Sequence, residues 1–306
     1  MREKMPAGSL TSVGIGDDAA VVTTPSGSVV AAVDMVIEGK HFRRYWSSGY
    51  DVGVKAAARS LADIAAMGAV NTALLVALAT PGTLSARWAT DLASGLAVEA
   101  DRAGAGIVGG DTARADVVML SVTALGDLDG RRPVLRSGAR PGDVIAMAGT
   151  LGRSAAGLAL LSAGSNEPAG LVAAHLRPQP PYDAGPEAAR LGATAMIDVS
   201  DGLLADLGHV AEASGVHINL NSKAFPVEEA LREAAARVSP GSADRSAALA
   251  LSWVLTGGED HALVAAFPAG AALPERWRVI GEVREGSGVT VDNAPHQGPG
   301  GWQHFR

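Results

Sequence analysis

Seven aspartates in five places carry the chemical signal of this 306-residue chain: Asp17 and Asp18 in GIGDDAAVV, Asp34 in VVAAVDM, Asp63 in SLADIAAMG, Asp111 in IVGGDTA, and Asp198 with Asp201 in MIDVSDG. They stand at the ends of apolar runs or in helical patterns beside glycine-rich turns. Two unit negative charges about 4 Å apart repel by roughly 4 kcal/mol at an effective dielectric near 20, so a fold that gathers even half of them needs cations. The chain has no cysteine, and none of the five segments contains histidine. The donors on offer are hard oxygens, which suit magnesium, manganese or calcium rather than zinc or copper.

Further motifs share this chemistry. TGGEDHALV at Thr256–Val264 places Glu259 and Asp260 after two glycines, as IVGGDTA does Asp111. Glycines let backbone approach a ligand closely and expose N–H groups. GIGDD, VGGDT, SDG and TGGED thus read as four turns of one design. GIGDDA also fits the loose dinucleotide pattern GxGxxG/A, but its two aspartates would oppose a pyrophosphate, and AAVVTTP after it reads as a strand where that fold needs a helix. No GxxxxGK[ST] sequence occurs. Asp51, Lys55, Arg59 and Asp63 recur every fourth residue; such a stripe is ordinarily a solvated helix face, although Asp63 falls close to the helix's apolar end, where burial would demand a partner. The seven histidines lack metal spacing such as HExxH, and Ser200 lies in no GxSxG elbow.

Elements that could position these residues follow from periodicity and caps. Strands are expected near residues 19–22 and 29–33. A helix then spans 51–67, a strand 71–79, a helix opened by Ser85 runs to about 103, and strands follow at 106–108 and 117–125. RRPVLRSGARPG at 131–142, rich in turn formers, marks a domain boundary placed at Gly138. Beyond it come a strand at 143–148, a helix at 154–163 and the irregular RPQPP. A strand at 195–199 leads into Ser200, Asp201 and Gly202, which cap a helix to about 214, and strands at 262–267 and 278–283 complete the pattern. Residues 239–246 and 286–301 read as surface loops.

Apolar residues make up 47% of the chain but aromatics only 4%, so the mean hydropathy of +0.18 rests on alanine and valine. The apolar run ALLVALA is far shorter than the roughly 20 residues a spanning helix needs. No signal-like segment follows Met1, and cytoplasm is the expected compartment. A net charge of −7 argues against nonspecific nucleic-acid binding, which normally wants a basic patch.

GIGDDAAVV, DMVIEGKHF, ADIAAMGA, VGGDTAR, LRSGARPGD, IDVSDGLLADLGHV, TGGEDHALV and a terminal GWQHF, in that order, resemble the bacterial thiamine-monophosphate kinase family, within the ATP-binding proteins related to aminoimidazole ribonucleotide synthetase. The resemblance covers nearly the whole chain. It implies an N-terminal α/β domain (1–138) whose mixed sheet forms a barrel at a homodimer interface, and a C-terminal α+β domain (139–306), with ATP and several Mg2+ ions in the cleft between them. By motif position it makes Asp18, Asp34, Asp63, Asp111, Asp198 and Asp201 metal ligands. Gly110, Asp111, Arg136 and Ser200 correspond to ATP contacts, and His41, Glu259 and Trp302 to the thiamine-phosphate site. The implied reaction is ATP-dependent phosphorylation of thiamine monophosphate by direct in-line transfer, with no catalytic side chain beyond metal ligands and positioning groups. Trp302 has a second reading as an aromatic packed on the core. The chain has Ala32 and Val33 where the family usually has Ser-Thr before Asp34. Two other classes, a nicotinamide oxidoreductase using GIGDDA and a noncatalytic calcium-binding protein, predict stabilisation by NAD and metal binding without transfer, respectively.

Overall fold

The computed structural model describes residues 8–13, 21–225, 227–298 and 300–302. The chain divides into two compact units, Met1–Pro133 and Val134–Arg306. The division falls within the proline- and arginine-rich segment, ahead of Gly138.

In the first unit β1 (Thr11–Val13) pairs with β2 (Val21–Val22). The main elements are β3 (Val30–Ile37), α1 (Gly49–Ala66), β4 (Val70–Thr80), α2 (Ala86–Arg102), β5 (Gly106–Arg114) and β6 (Met119–Asp127). They build a four-stranded mixed sheet in the order β3-β6-β4-β5, in which β4 and β5 run parallel and the other pairs antiparallel. Alternation along the strands sorts the two faces. Val36, Leu120, Val122 and Ala124 are buried on the face that α1 covers, whereas Val33, Met35 and Leu75 on the other face are exposed. Helix α1 starts at a capping box, in which the Ser48 hydroxyl accepts from the Asp51 N–H and the Asp51 carboxylate accepts from the Ser48 N–H. Ser85 caps α2 as expected, accepting from the Trp88 N–H.

Two expectations fail here. Asp34 lies inside β3 rather than at a strand end, and VGGDT is no turn: β5 continues through it to Arg114, because the 11-residue β4 supplies ladder partners out to Thr80. The ladder also explains Gly110, where a Cβ would lie 2.0 Å from the Val76 carbonyl oxygen, so glycine here answers to strand packing.

The second unit contains β7 (Val144–Ala148), α3 (Arg153–Ser162), α4 (Ala169–Leu176), α5 (Ala184–Arg190), β8 (Ala195–Asp198), α6 (Leu203–Ser214), β9 (His217–Leu220), α7 (Glu229–Val238), α8 (Ala243–Thr256), β10 (Leu263–Phe267), β11 (Arg278–Arg284) and β12 (Gly288–Val291). Its six-stranded sheet has the order β12-β9-β11-β7-β10-β8, antiparallel except between β12 and β9. Strand β10 is buried throughout, which suits its interior place between β7 and β8 and its sequence LVAAF. The expected loop at 239–246 is in part a helix start: the Ser242 hydroxyl accepts from the Arg245 N–H and opens α8. The expected loop at 286–301 contains β12, four residues held by parallel pairing to β9. No described helix is long and apolar enough to cross a membrane.

Helices α1 and α2 meet at backbone distance. A Cβ on Gly53 would lie 2.2 Å from the Leu92 carbonyl oxygen. Gly53→Ala should therefore lower stability by about 1–3 kcal/mol through overpacking, despite alanine's helix-propensity gain of about 1 kcal/mol. Urea unfolding measures this, and an unchanged or raised midpoint would contradict the close contact.

Candidate functional site

In the second unit, three motif segments are laced together where β8 ends. Asp198 is its last residue. The His261 N–H donates to the Val199 carbonyl at 2.9 Å, the Glu259 N–H to the Ser200 carbonyl at 2.9 Å, and the Trp302 N–H to the Asp201 carbonyl at 2.9 Å. MIDVSDG, TGGED and the terminal Gly-Trp thus form one surface, bringing together Asp198, Ser200, Asp201, Glu259 and Trp302. Trp302 is 67% exposed, so the reading of it as a core aromatic is corrected. Glu259 and His261 both hold left-handed backbone, at φ 65° and 53°, a conformation non-glycine residues seldom adopt and one found preferentially where function demands it. Arg136 is exposed on a segment lying along β8, where the Met196 N–H donates to the Leu135 carbonyl at 3.0 Å.

Carboxylates hold this surface from beneath. The expected Ser/Asp cap of α6 is instead built by Asp206, whose Oδ2 accepts the N–H groups of Ser200, Asp201 and Gly202 at 3.0, 3.1 and 3.0 Å. Burial, followed by the neighbouring Asp198 charge, pushes the Asp206 carboxyl up to about 7 against the pull of those donors. Ser200 therefore has both backbone groups occupied, its N–H by Asp206 and its carbonyl by the Glu259 N–H. Asp260 accepts the Gly152 and Ser154 N–H groups at 2.7 and 2.9 Å, pinning the TGGED loop to the start of α3; its burial raises its pKa to about 7. Asp198 and His261 are 4% and 2% exposed, and His261 Nδ1 lies 3.0 Å from Asp198 Oδ2. Sequence reasoning missed Asp206, Asp260 and His261 as organisers of the loops. The available signal was an acidic residue in the first helical turn and an acid-His pair after two glycines.

The first unit positions its candidates differently. Lys55 and Asp51 are buried, and the Arg59 side chain is 13% exposed, so the charged stripe of α1 is not a solvated face. It meets β3 instead: Asp34 Oδ2 accepts from the Ser60 hydroxyl at 3.2 Å, and Asp34 Oδ1 lies 3.8 Å from the Arg59 guanidinium. Asp63, half-buried, is one turn beyond Arg59. The ladder aligns Asp34, Val122, Val76 and Gly110 in one row, and Met35, Ser121, Ala77 and Asp111 in the next, on the opposite face. Three strand spacings put Asp34 and Asp111 about 14 Å apart, too far to share one ion. His41 Nδ1 accepts the Ile37 N–H at 3.1 Å, so a neutral ring carries its proton on Nε2; beside it lies a concavity of about 440 Å³ lined by Glu38, Gly39, Arg43, Arg44 and Tyr45. Asp17 and Asp18 lie outside the described residues. Among the described residues no group of three or more His, Asp or Glu side chains stands close enough to hold a metal ion.

The two-unit fold with these motif loops defines a protein of the AIR synthase related class: residues 16–128 match the model of the AIR synthase related protein N-terminal domain, and residues 140–292 that of its C-terminal domain. The chain is 50% identical over 295 residues to the thiamine-monophosphate kinase of Mycobacterium tuberculosis, covering 96% of this chain and 86% of that protein. A crystal structure of thiamine-monophosphate kinase from Stenotrophomonas maltophilia superposes with a TM-score of 0.82 at 33% identity, over 94% of this chain and 93% of that one. The structure of AaThiL complexed with AMPPCP and TMP gives 0.83 at 32% identity, over 96% and 93%. The chain belongs to the thiamine-monophosphate kinase family.

The raised pKa of Asp260 sets a sign for stability against pH. The folded chain keeps this group protonated up to about 7, whereas the unfolded chain releases the proton near 3.8. Its contribution to folding is therefore complete below about pH 3.8 and is lost as pH rises through about 7. Wild-type stability in urea should fall more steeply from about pH 5 to about pH 8 than that of Asp260→Asn, which cannot titrate; parallel profiles would contradict the assignment.

Proposed function

We propose that this chain transfers the γ-phosphoryl group of ATP to the phosphate of thiamine monophosphate, yielding thiamine diphosphate and ADP. The observation that carries this reading is the 50% identity to a thiamine-monophosphate kinase across both units. The geometry supports it through a surface that offers hard oxygens, an exposed indole and a hydroxyl on one set of loops. The acceptor is a phosphate monoester with a second pKa near 6, so at neutral pH its attacking oxygen already carries charge and no general base is needed. The remaining obstacle is repulsion between two polyanions.

Asp198 and Asp201 of the second unit, and Asp34, Asp63 and Asp111 of the first with Asp18, would hold divalent ions. The donor set fits magnesium. Asp198 has one donor, on Oδ2, and its other oxygen accepts no hydrogen bond among the described residues, which leaves it open to a cation. Bound magnesium supplies screening and alignment of the phosphates and stabilises charge on the equatorial oxygens. The wide spacing of Asp34 and Asp111 means several ions rather than one cluster. The Ser200 hydroxyl, the Arg136 guanidinium and the Gly110–Asp111 strand edge contact the nucleotide. Glu259, Trp302 and His41 address the thiamine moiety, the indole lying over its cationic or aromatic rings. The uncovered sheet face with Val33, Met35 and Leu75 is the surface on which a second copy closes the barrel of a homodimer.

Purified protein given ATP, magnesium and thiamine monophosphate should form thiamine diphosphate and ADP in equal amounts; turnover of a different acceptor with none of this product would overturn the proposal. Asp198→Asn and Asp63→Asn should each lower turnover at least about 100-fold while thermal melts show a folded protein. Wild-type rates in either variant would remove that residue from the site. Met35→Glu should convert the dimer to monomer in sedimentation velocity, and an unchanged boundary would move the interface elsewhere.

A further inference from the structure

We infer that His261 is a positioning residue: its Nδ1 hydrogen bond fixes the Asp198 carboxylate, leaving the other Asp198 oxygen for a divalent cation and tying that ligand to the Glu259 loop. The inference rests on the reading of Asp198 as a metal ligand.

The bond is the ring's one hydrogen bond among the described residues. His261 Nδ1 lies 3.0 Å from Asp198 Oδ2, and Nε2 is buried without a hydrogen-bond partner. A carboxylate only accepts, so Nδ1 carries the proton and Nε2 faces the interior as an unmatched atom. An apolar side chain would fill that space without stranding a nitrogen, so the packing alone gives no reason for an imidazole. The backbone on either side is independently pinned, by His261 N–H to the Val199 carbonyl at 2.9 Å and Val199 N–H to the Ala262 carbonyl at 2.8 Å. Removing the ring therefore leaves the loop's backbone tether intact and releases the carboxylate. A ligand fixed by an outer hydrogen bond binds metal more tightly than one free to rotate, and losing such partners typically weakens metal affinity.

Two amide substitutions separate this role from simple space filling. His261→Asn falls short of the ring's volume but puts an amide where Nδ1 stands, whereas His261→Gln is closer in size and puts its amide where Nε2 stands. Full-length wild type, H261N, H261Q and D198N are titrated with Mn2+ in the presence of a non-hydrolysable ATP analogue, free Mn2+ being read by its EPR signal, and melted in EDTA. H261Q should weaken Mn2+ binding about tenfold or more, and H261N by no more than about threefold, without a matching order in melting temperature. Unchanged affinity in H261Q, equal losses in both variants, or losses proportional to melting temperature would overturn the role. D198N binding Mn2+ like wild type would instead overturn the ligand reading beneath it, whereas weak binding by D198N with normal binding by H261Q overturns the positioning role alone.

Discussion

A carboxylate taken out of water must be met by donors or by cations, and the second unit supplies its buried aspartates with unequal numbers of donors. Asp206 receives three N–H groups, Asp260 two, and Asp143 the Arg140 N–H and the Thr194 hydroxyl. These three are matched within the fold and act as its internal struts: they fix the turn after β8, the TGGED loop and the turn before β7. Asp198 is equally withdrawn from solvent yet has a single donor, His261. Burial is common to all four; the shortfall of donors sets Asp198 apart from the three that hold the loops.

The first unit solves the same problem with built-in cations. Arg59 stands beside Asp34, and the Lys55 ammonium, buried under the His41 segment, donates to the His41 carbonyl at 3.4 Å. The stripe of α1 thus links the strand that carries Asp34 to the segment that carries His41. Alanine and glycine make this possible, because a helix of small residues lies close enough to its neighbours for short contacts to form. The sheet's other face carries Val33, Met35 and Leu75 exposed among the described residues, interleaved with Ser121 and Thr123.

Much of the fold was legible because it depends on local signals. Ser85 as a cap, the alternation of β6 and the apolar run of β10 each speak through a few adjacent residues. VGGDT misled because glycine pairs read as a turn when the partner strand cannot be seen; only the length of β4 reveals that the ladder continues. The charged stripe misled for a related reason, since four charges at helical spacing look solvated until Asp34 and His41 are folded onto them. At the site, MIDVSDG, TGGED and Gly-Trp were recognisable as motifs, but the lacing among them is made of backbone hydrogen bonds between segments some sixty and a hundred residues apart. His261 reaches Asp198 across a similar separation, whereas Asp206 acts locally on the turn four to six residues before it, where an acidic residue in the first helical turn was the available mark.

The central claim of the proposed function is that Asp198, which has a single donor among the described residues, and Asp201 beside it are metal ligands. Crystals grown with Mn2+, a non-hydrolysable ATP analogue and thiamine monophosphate, with diffraction recorded at the manganese edge, address it directly. Anomalous peaks about 2.0–2.3 Å from oxygens of Asp198 and Asp201, with none on Asp206 or Asp260, are the predicted result. Peaks confined to other residues, or Asp198 lying against protein donors on both oxygens, would contradict it.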